Sequence, residues 1–264
     1  MQRITPVGPW PLHDVAAIRR LEQAAAAALP PHTLMQRAGL AVARLALAIA
    51  PHARTVWVAC GPGNNGGDGF EAALHLKQWG KAPVVTWIGD EARLPDDARR
   101  SLANARAAGV AFAQEPPPAF DLAIDALLGI GATRVPDGAL LAAIEHMNAA
   151  GVPVLAVDIP SGLRADTGAG AAFVRATHTL SLLALKPGLF TANGRDAAGA
   201  VWFDDLGVAA DAELPCPWLA GPPARVARAQ ARRNVDRQYR DARGIHVLDR
   251  RKQGAIGDAR GADA

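Results

Sequence analysis

Residues 60–70 read CGPGNNGGDGF, and the reading of this stretch decides the fold. It follows the apolar run TVWVA at residues 55–59, whose β-branched and aromatic content is that of a buried strand too short to stand as a helix. After Asp68 the period changes. Phe70, Ala73 and Leu74 recur at helical spacing, Trp79 follows a turn later, and Gly80 supplies a helix stop. Strand, glycine loop and helix therefore occur in that order.

Gly61, Gly63, Gly66, Gly67 and Gly69 let the backbone approach a ligand closely and turn N–H groups toward it, which suits phosphate. Gly61, Gly63 and Gly66 also meet the GxGxxG spacing of a dinucleotide fingerprint, and Asp90 or Glu91 lies about where a ribose-binding acid belongs. Against that fingerprint, Asp68 is expected where the helix begins, its carboxylate capping the N–H groups a pyrophosphate would use. Asn64 and Asn65 add amide groups that the fingerprint does not need. No GxxxxGK(S/T) occurs, which disfavours a P-loop. A tight turn with a good cap and no ligand is the plain alternative.

Outward from this stretch, strands are expected at 84–88, 120–125, 152–158, 179–183 and 200–203, and helices at 12–29, 32–49, 94–108 and 139–150. The first two helices read as packing elements. The alternation predicts an α/β fold, a three-layer Rossmann-like sandwich with a mostly parallel central sheet. In such sheets ligands gather beyond the carboxyl ends of strands, near a topological switch point. Three polar loops leave strand ends here: the glycine loop, DALLGIGATRV at 125–135 and DIPSG at 158–162. An acid at one strand end is often only a cap. Three such loops together indicate a site.

The 264 residues suffice for one sizeable domain with an appendage, and half of them are apolar. Pro6, Gly8, Pro9, Pro11 and His13 interrupt any leader-like apolar run, so a cytoplasmic protein with no membrane segment is expected. Cys60 and Cys216 give no disulfide framework and no metal spacing, and Cys60 reads as a small apolar residue at a strand end. From Arg225 to Ala264 there are 11 basic and 5 acidic residues, against 17 and 20 before it, so the net positive charge sits in the C-terminal segment. Residues 210–264 are expected to be a proline-containing linker and a solvated, disordered basic tail, with nucleic acid not anticipated as a partner.

GNNGGDG after a strand resembles the signature of the NAD(P)HX epimerase family, the YjeF N-terminal domain that repairs hydrated nicotinamide nucleotides. The similarity runs through LMQRAG (34–39), the two further polar loops, KPGL (186–189), Gly194, Gly199 and DLGV (205–208), and so covers most of residues 1–209. It implies epimerisation of the R and S forms of hydrated NADH or NADPH (NADHX, NADPHX) at nicotinamide C6. It also implies that Asn64, Asn65, Gly66, Gly67 and Asp68 line the nucleotide with Gly129, Ile130, Gly131, Ala132, Thr133, Arg134 and Val135, and that Asp158 contacts it. The same resemblance puts a potassium ion on Asn65, Asp125 and Ser161, whose oxygens are hard ligands suited to an alkali cation.

On this reading Asp158 is the catalytic residue, through proton transfer or stabilisation of a cation. A homodimer is implied, with a separate ADP- or ATP-dependent NAD(P)HX dehydratase as functional partner. In many bacteria the two activities are fused; the residues after 209 are too few for a dehydratase domain, so no dehydratase activity is expected. Gln36 stands where the family usually has a glutamate, Ile130 replaces the middle residue of a GTG, and Thr177 replaces an acid. Lys186 either faces an anionic ligand or solvates the end of its strand. Two other readings stand beside the epimerase: an NAD-dependent oxidoreductase using Asp90 or Glu91, and a non-catalytic nucleotide-sensing or scaffold module.

Overall fold

The computed structural model describes residues 1–5, 9–208 and 218–219. In chain order the elements are β1 (Gln2–Arg3), β2 (Trp10–Pro11), α1 (Val15–Ala28), α2 (Thr33–Ile49), β3 (Thr55–Cys60), α3 (Asn64–Gln78), β4 (Ala82–Trp87), α4 (Asp96–Ala107), β5 (Ala111–Ala113), β6 (Leu122–Ala126), α5 (Gly138–Ala149), β7 (Val154–Val157), β8 (His178–Leu182), α6 (Gly194–Ala197), β9 (Ala200–Asp204) and β10 (Trp218–Leu219). The helices follow their apolar stripes. In α2, Met35, Ala38, Val42, Leu45 and Ala46 are buried at three- and four-residue spacing. α1 begins later than its pattern suggests because Asp14 is its N-cap, accepting the Ala17 N–H at 2.7 Å.

Eight strands form one sheet in the order β1-β9-β8-β7-β6-β3-β4-β5, parallel throughout except for the edge pair β1–β9. The chain runs from β3 out to β4 and β5, then returns to the other side of β3 with β6. That reversal is the topological switch point, and it lies between β3 and β6. Because β7, β6 and β3 are neighbours, the three polar loops that leave them meet at one place.

Alternation along β3 builds the layers. Val56, Val58 and Cys60 pack with α2, α3 and α4, whereas Trp57 and Ala59 pack with α5 on the opposite face. Trp57 is fully buried, and its indole N–H donates to Thr86 Oγ1 at 2.8 Å, so its burial leaves no polar group unpaired. Phe70 and Leu76, also fully buried, anchor α3 and each contribute about 1.5–3 kcal/mol through removal from water.

β10 pairs antiparallel with β2 in a separate two-stranded ribbon. Apart from that strand, the linker, the basic tail and Cys216 lie outside the described residues. No helix among the described residues is long and apolar enough to cross a membrane.

Candidate active site

The glycine stretch is not a loop ahead of a helix; most of it is the helix. α3 starts at Asn64, with Gly63 as an N-cap that offers no side chain, and its first intrahelical bond runs from the Gly67 N–H to Gly63 O at 3.2 Å. Asp68 therefore sits a full turn inside α3 and caps nothing, contrary to its expected place at the helix start. The N–H groups of Asn64, Asn65 and Gly66 are left at the open N-terminus, where the helix dipole favours an anion.

Beside this terminus is a buried oxygen-rich knot. Asp125, at the end of β6, is fully buried and accepts from Ser161 Oγ at 2.5 Å, Ser161 N–H at 2.8 Å and Leu127 N–H at 3.3 Å. Ser161 Oγ in turn accepts the Leu128 N–H at 2.8 Å. Asn65 packs against Gly129, one residue along, and its buried Nδ2 has no hydrogen-bond partner. Burial pushes the Asp125 carboxyl up to about 6 against the opposing pull of those hydrogen bonds, and among the described residues no cationic side chain shifts it. A buried carboxylate without a counter-charge, next to a hydroxyl and an under-satisfied amide, is a donor set that fits a potassium ion. The expected trio of Asn65, Asp125 and Ser161 is thus brought together.

Asp158 follows β7 in a left-handed backbone conformation, φ 70°, which a carboxylate side chain tolerates better than most but which still carries strain. Its Oδ1 receives the Leu182 N–H at 3.2 Å and the Lys186 ammonium. Lys186 is 0% exposed, and its remaining donors go to Leu182 O at 2.7 Å and Ser181 Oγ at 3.2 Å. This corrects both expectations for Lys186: it neither solvates a strand end nor waits for a ligand, but holds Asp158.

The α3 N-terminus and Asp158 border a cavity of about 660 Å³, whereas Asp125, Ser161 and Lys186 lie behind its lining residues. Asn64, Asn65, Asp68, Gly129, Ile130, Gly131, Ala132 and Asp158 line it, all of them residues that the resemblance puts against a nucleotide. Gly66 and Gly67 do not; they are buried against Gly61 and against Met35 and Ala98. Thr133, Arg134 and Val135 border a neighbouring groove of about 380 Å³ that also includes Arg164 and shares Ala132.

One wall was not anticipated. Arg19, Glu22 and Gln23 of α1, with Leu34 and Met35 of α2, close the cavity, so the first two helices do more than pack. His32 fastens α2 to α3 through a buried contact of its Nε2 with Glu71 Oε1 at 2.8 Å. Desolvation raises the Glu22 carboxyl, and Asp158 raises it further. Asp68 is raised well above the ordinary carboxylate range, first by burial and then by Asp158, Glu22 and Glu71, with Lys186 opposing. Burial likewise raises the Cys60 thiol, in keeping with its reading as an apolar strand residue.

Of the three departures, Ile130 lines the cavity and the other two fall outside it. Gln36 is exposed and lines neither cavity, and Thr177 ties its Oγ1 to the Val154 backbone at 2.9 Å in both directions, at the far end of the sheet. Asp90 caps a short turn through the Ala92 N–H, Glu91 pairs with Arg106, and neither borders the cavity. The ribose-binding acid required by the oxidoreductase reading is therefore missing from the site.

Fold and site together define a doubly wound α/β protein with its cavity at the switch point and the buried Asp125–Ser161 cluster beside it. A family model described as YjeF-related protein N-terminus matches residues 31–188. The chain belongs to the YjeF N-terminal family. It is 39% identical over 224 residues to the bifunctional NAD(P)H-hydrate repair enzyme Nnr of Escherichia coli K12, an alignment taking in 81% of this chain and 41% of that protein. The chain thus spans about two fifths of the E. coli relative. It is 40% identical over 222 residues to an NAD(P)H-hydrate epimerase of Bordetella pertussis Tohama I, covering 79% of this chain and 97% of that one. A crystal structure of the yeast protein ynu0 (YNL200c) superposes with a TM-score of 0.61 at 21% identity, over 69% of this chain and 84% of the yeast chain, and shares the fold.

Proposed function

We propose that this protein epimerises the R and S forms of hydrated NADH and NADPH at nicotinamide C6, a metabolite-repair reaction. The observation that carries the reading is the polarity of the cavity. Its lining joins an open helix N-terminus, suited to phosphate, with the salt-bridged carboxylate of Asp158, suited to a ring that becomes cationic. The relatives named for the same hydrate, one of them matched over nearly its whole length, support it.

The hydrated ring is a carbinolamine. Loss of its C6 hydroxyl, driven by the ring-nitrogen lone pair, leaves an iminium, and readdition of water from the opposite face gives the other epimer. Asp158 faces that cation with a carboxylate fixed by Lys186 and by the Leu182 N–H, so the charge that stabilises it is already oriented before the bond breaks. The N–H groups of Asn64 and Asn65 hold phosphate, and the segment from Gly129 to Ala132 lines the same cavity. Asn65, Asp125 and Ser161 would hold potassium, which would supply the positive charge that buried Asp125 lacks. We further propose that the protein acts as a homodimer beside a separate ADP- or ATP-dependent dehydratase.

The test mixes purified R-hydrated NADH with an S-specific dehydratase, with and without this protein, and follows the return of NADH. Acceleration that depends on the protein is expected. A folded protein that binds the hydrate without accelerating its repair would instead be a nucleotide-sensing or scaffold module.

A further inference from the structure

Asp68 lines the cavity, yet among the described residues it accepts no hydrogen bond and forms no ion pair. Of the other carboxyls nearby, Asp158 is engaged by Lys186 and the Leu182 N–H, Asp125 by Ser161 and Leu127, and Glu71 by His32, whereas Glu22 of α1, like Asp68, has no hydrogen bond or ion pair among the described residues. The helix position of Asp68 explains why it is free. Since α3 begins at Asn64, Asp68 lies past the N–H groups a carboxylate could cap.

The groups around it come from every neighbouring element. Asp158 follows β7, Glu22 and Arg19 project from α1, Glu71 is on α3 itself, Asp97 is on α4, and the Cys60 thiol and the Lys186 ammonium complete the set. Burial and three carboxyls raise the Asp68 carboxyl against the opposing pull of the one ammonium, which favours its protonated form. Among the cavity's carboxyls the salt-bridged Asp158 is suited to stay an anion and the unpartnered Asp68 and Glu22 to carry a proton, and of these two Asp68 stands on α3, one turn from its open N-terminus.

We propose that Asp68 is a second catalytic residue of the epimerisation, the acid that protonates the departing C6 hydroxyl. This rests on the function proposed above. As the C6–O bond breaks, the ring-nitrogen lone pair forms the nitrogen–C6 double bond, and the Asp68 proton turns the leaving oxygen into water. The cation lies against the Asp158 carboxylate. Water adding to the other face forms the new C6–O bond, the electron pair returns to nitrogen, and the surplus proton returns to Asp68. Nothing is oxidised, reduced or consumed.

The experiment compares kcat, the Kd for NADHX and the pH profile of wild type, Asp68→Asn, Asp68→Ala and Glu22→Gln, with melting curves to verify folding. Asp68→Asn should lower kcat roughly 10²- to 10⁴-fold with Kd changed less than about threefold, the range expected for losing a positioned general acid. Wild-type kcat should fall as pH rises through the titration of Asp68, and that limb should vanish in Asp68→Asn. Added formate should restore turnover to Asp68→Ala, which a merely structural role would not permit. Retention of more than a tenth of wild-type kcat by Asp68→Asn, persistence of the pH limb in it, or no formate rescue would overturn the assignment. An equal loss in Glu22→Gln with rescue there instead would move the acid to α1 and overturn it too. Wild-type protein that binds NADHX and never turns it over overturns the epimerase reading itself, an outcome distinct from inactive variants beside an active wild type.

Discussion

Lys186 uses all its donors at the carboxyl end of the sheet, on Asp158 Oδ1, Leu182 O and Ser181 Oγ, and is shut away from water. Removing one member of such a pair leaves the other's charge or hydrogen-bonding capacity stranded. Lys186→Met and Asp158→Asn should each destabilise by about 3–5 kcal/mol, and the double variant by clearly less than their sum. Urea melts of the four proteins check this; strict additivity would mean that the two side chains are not energetically paired. Activity measured on Asp158→Asn should accordingly be read at a temperature where that variant is still folded, and there kcat should fall about 10²- to 10³-fold with little change in binding. If it does not fall, Asp158 faces no developing cation. Lys186 was legible in sequence only as a cation after a strand, because hydropathy puts lysine on the surface and the partner that buries it lies 28 residues earlier.

At the scale of elements, the start of α3 shows how a cap signal can mislead. Asp68 before an apolar run has the look of an N-cap, but the four residues ahead of it already have helical geometry, and no side chain caps the first turn. The glycines explain how close the helix comes. A Cβ on Gly66 would stand 2.2 Å from Gly61 O, whereas one on Gly63 would meet nothing within 4 Å. Gly66→Ala should therefore cost about 1–3 kcal/mol by forcing backbone apart, and Gly63→Ala less than about 1 kcal/mol. Equal midpoints in urea for the two would contradict the packing. The long amphipathic α2 was readable nearly to the residue, since its buried positions recur over four turns. β1 and β5, with two and three residues, carry too little pattern to register, and that α1 walls the cavity is a fact of tertiary placement that periodicity does not encode.

The whole molecule is organised by the reversal of strand order, which brings loops from β3, β6 and β7 to one place although Asn65, Asp125 and Ser161 are far apart in the chain. An ion held by all three would tie together separate parts of the sheet, so its binding should appear as global stability. At a hundred times its Kd a ligand specific for the folded state adds about 2.7 kcal/mol. Potassium chloride should therefore raise the melting temperature by several degrees over choline chloride of equal ionic strength, and Ser161→Ala should reduce the difference. Identical melting in the two salts would remove potassium from the proposal. The site's parts were legible because each of the three loops carries its polar residues at a strand end. Their convergence needed the strand order, which a single sequence does not state.

The open first turn of α3 has a consequence for amide exchange with solvent deuterium. The N–H groups of Asn64, Asn65 and Gly66 have no helical acceptor, whereas Gly67 is the first to be bonded. In the free protein the amides of Asn64 and Asn65, which line the cavity, should exchange through its water orders of magnitude faster than those of the helix interior, and a bound nucleotide should slow them selectively. The helix would then report occupancy of its own N-terminus as a step in protection beyond residue 65 that ligand erases.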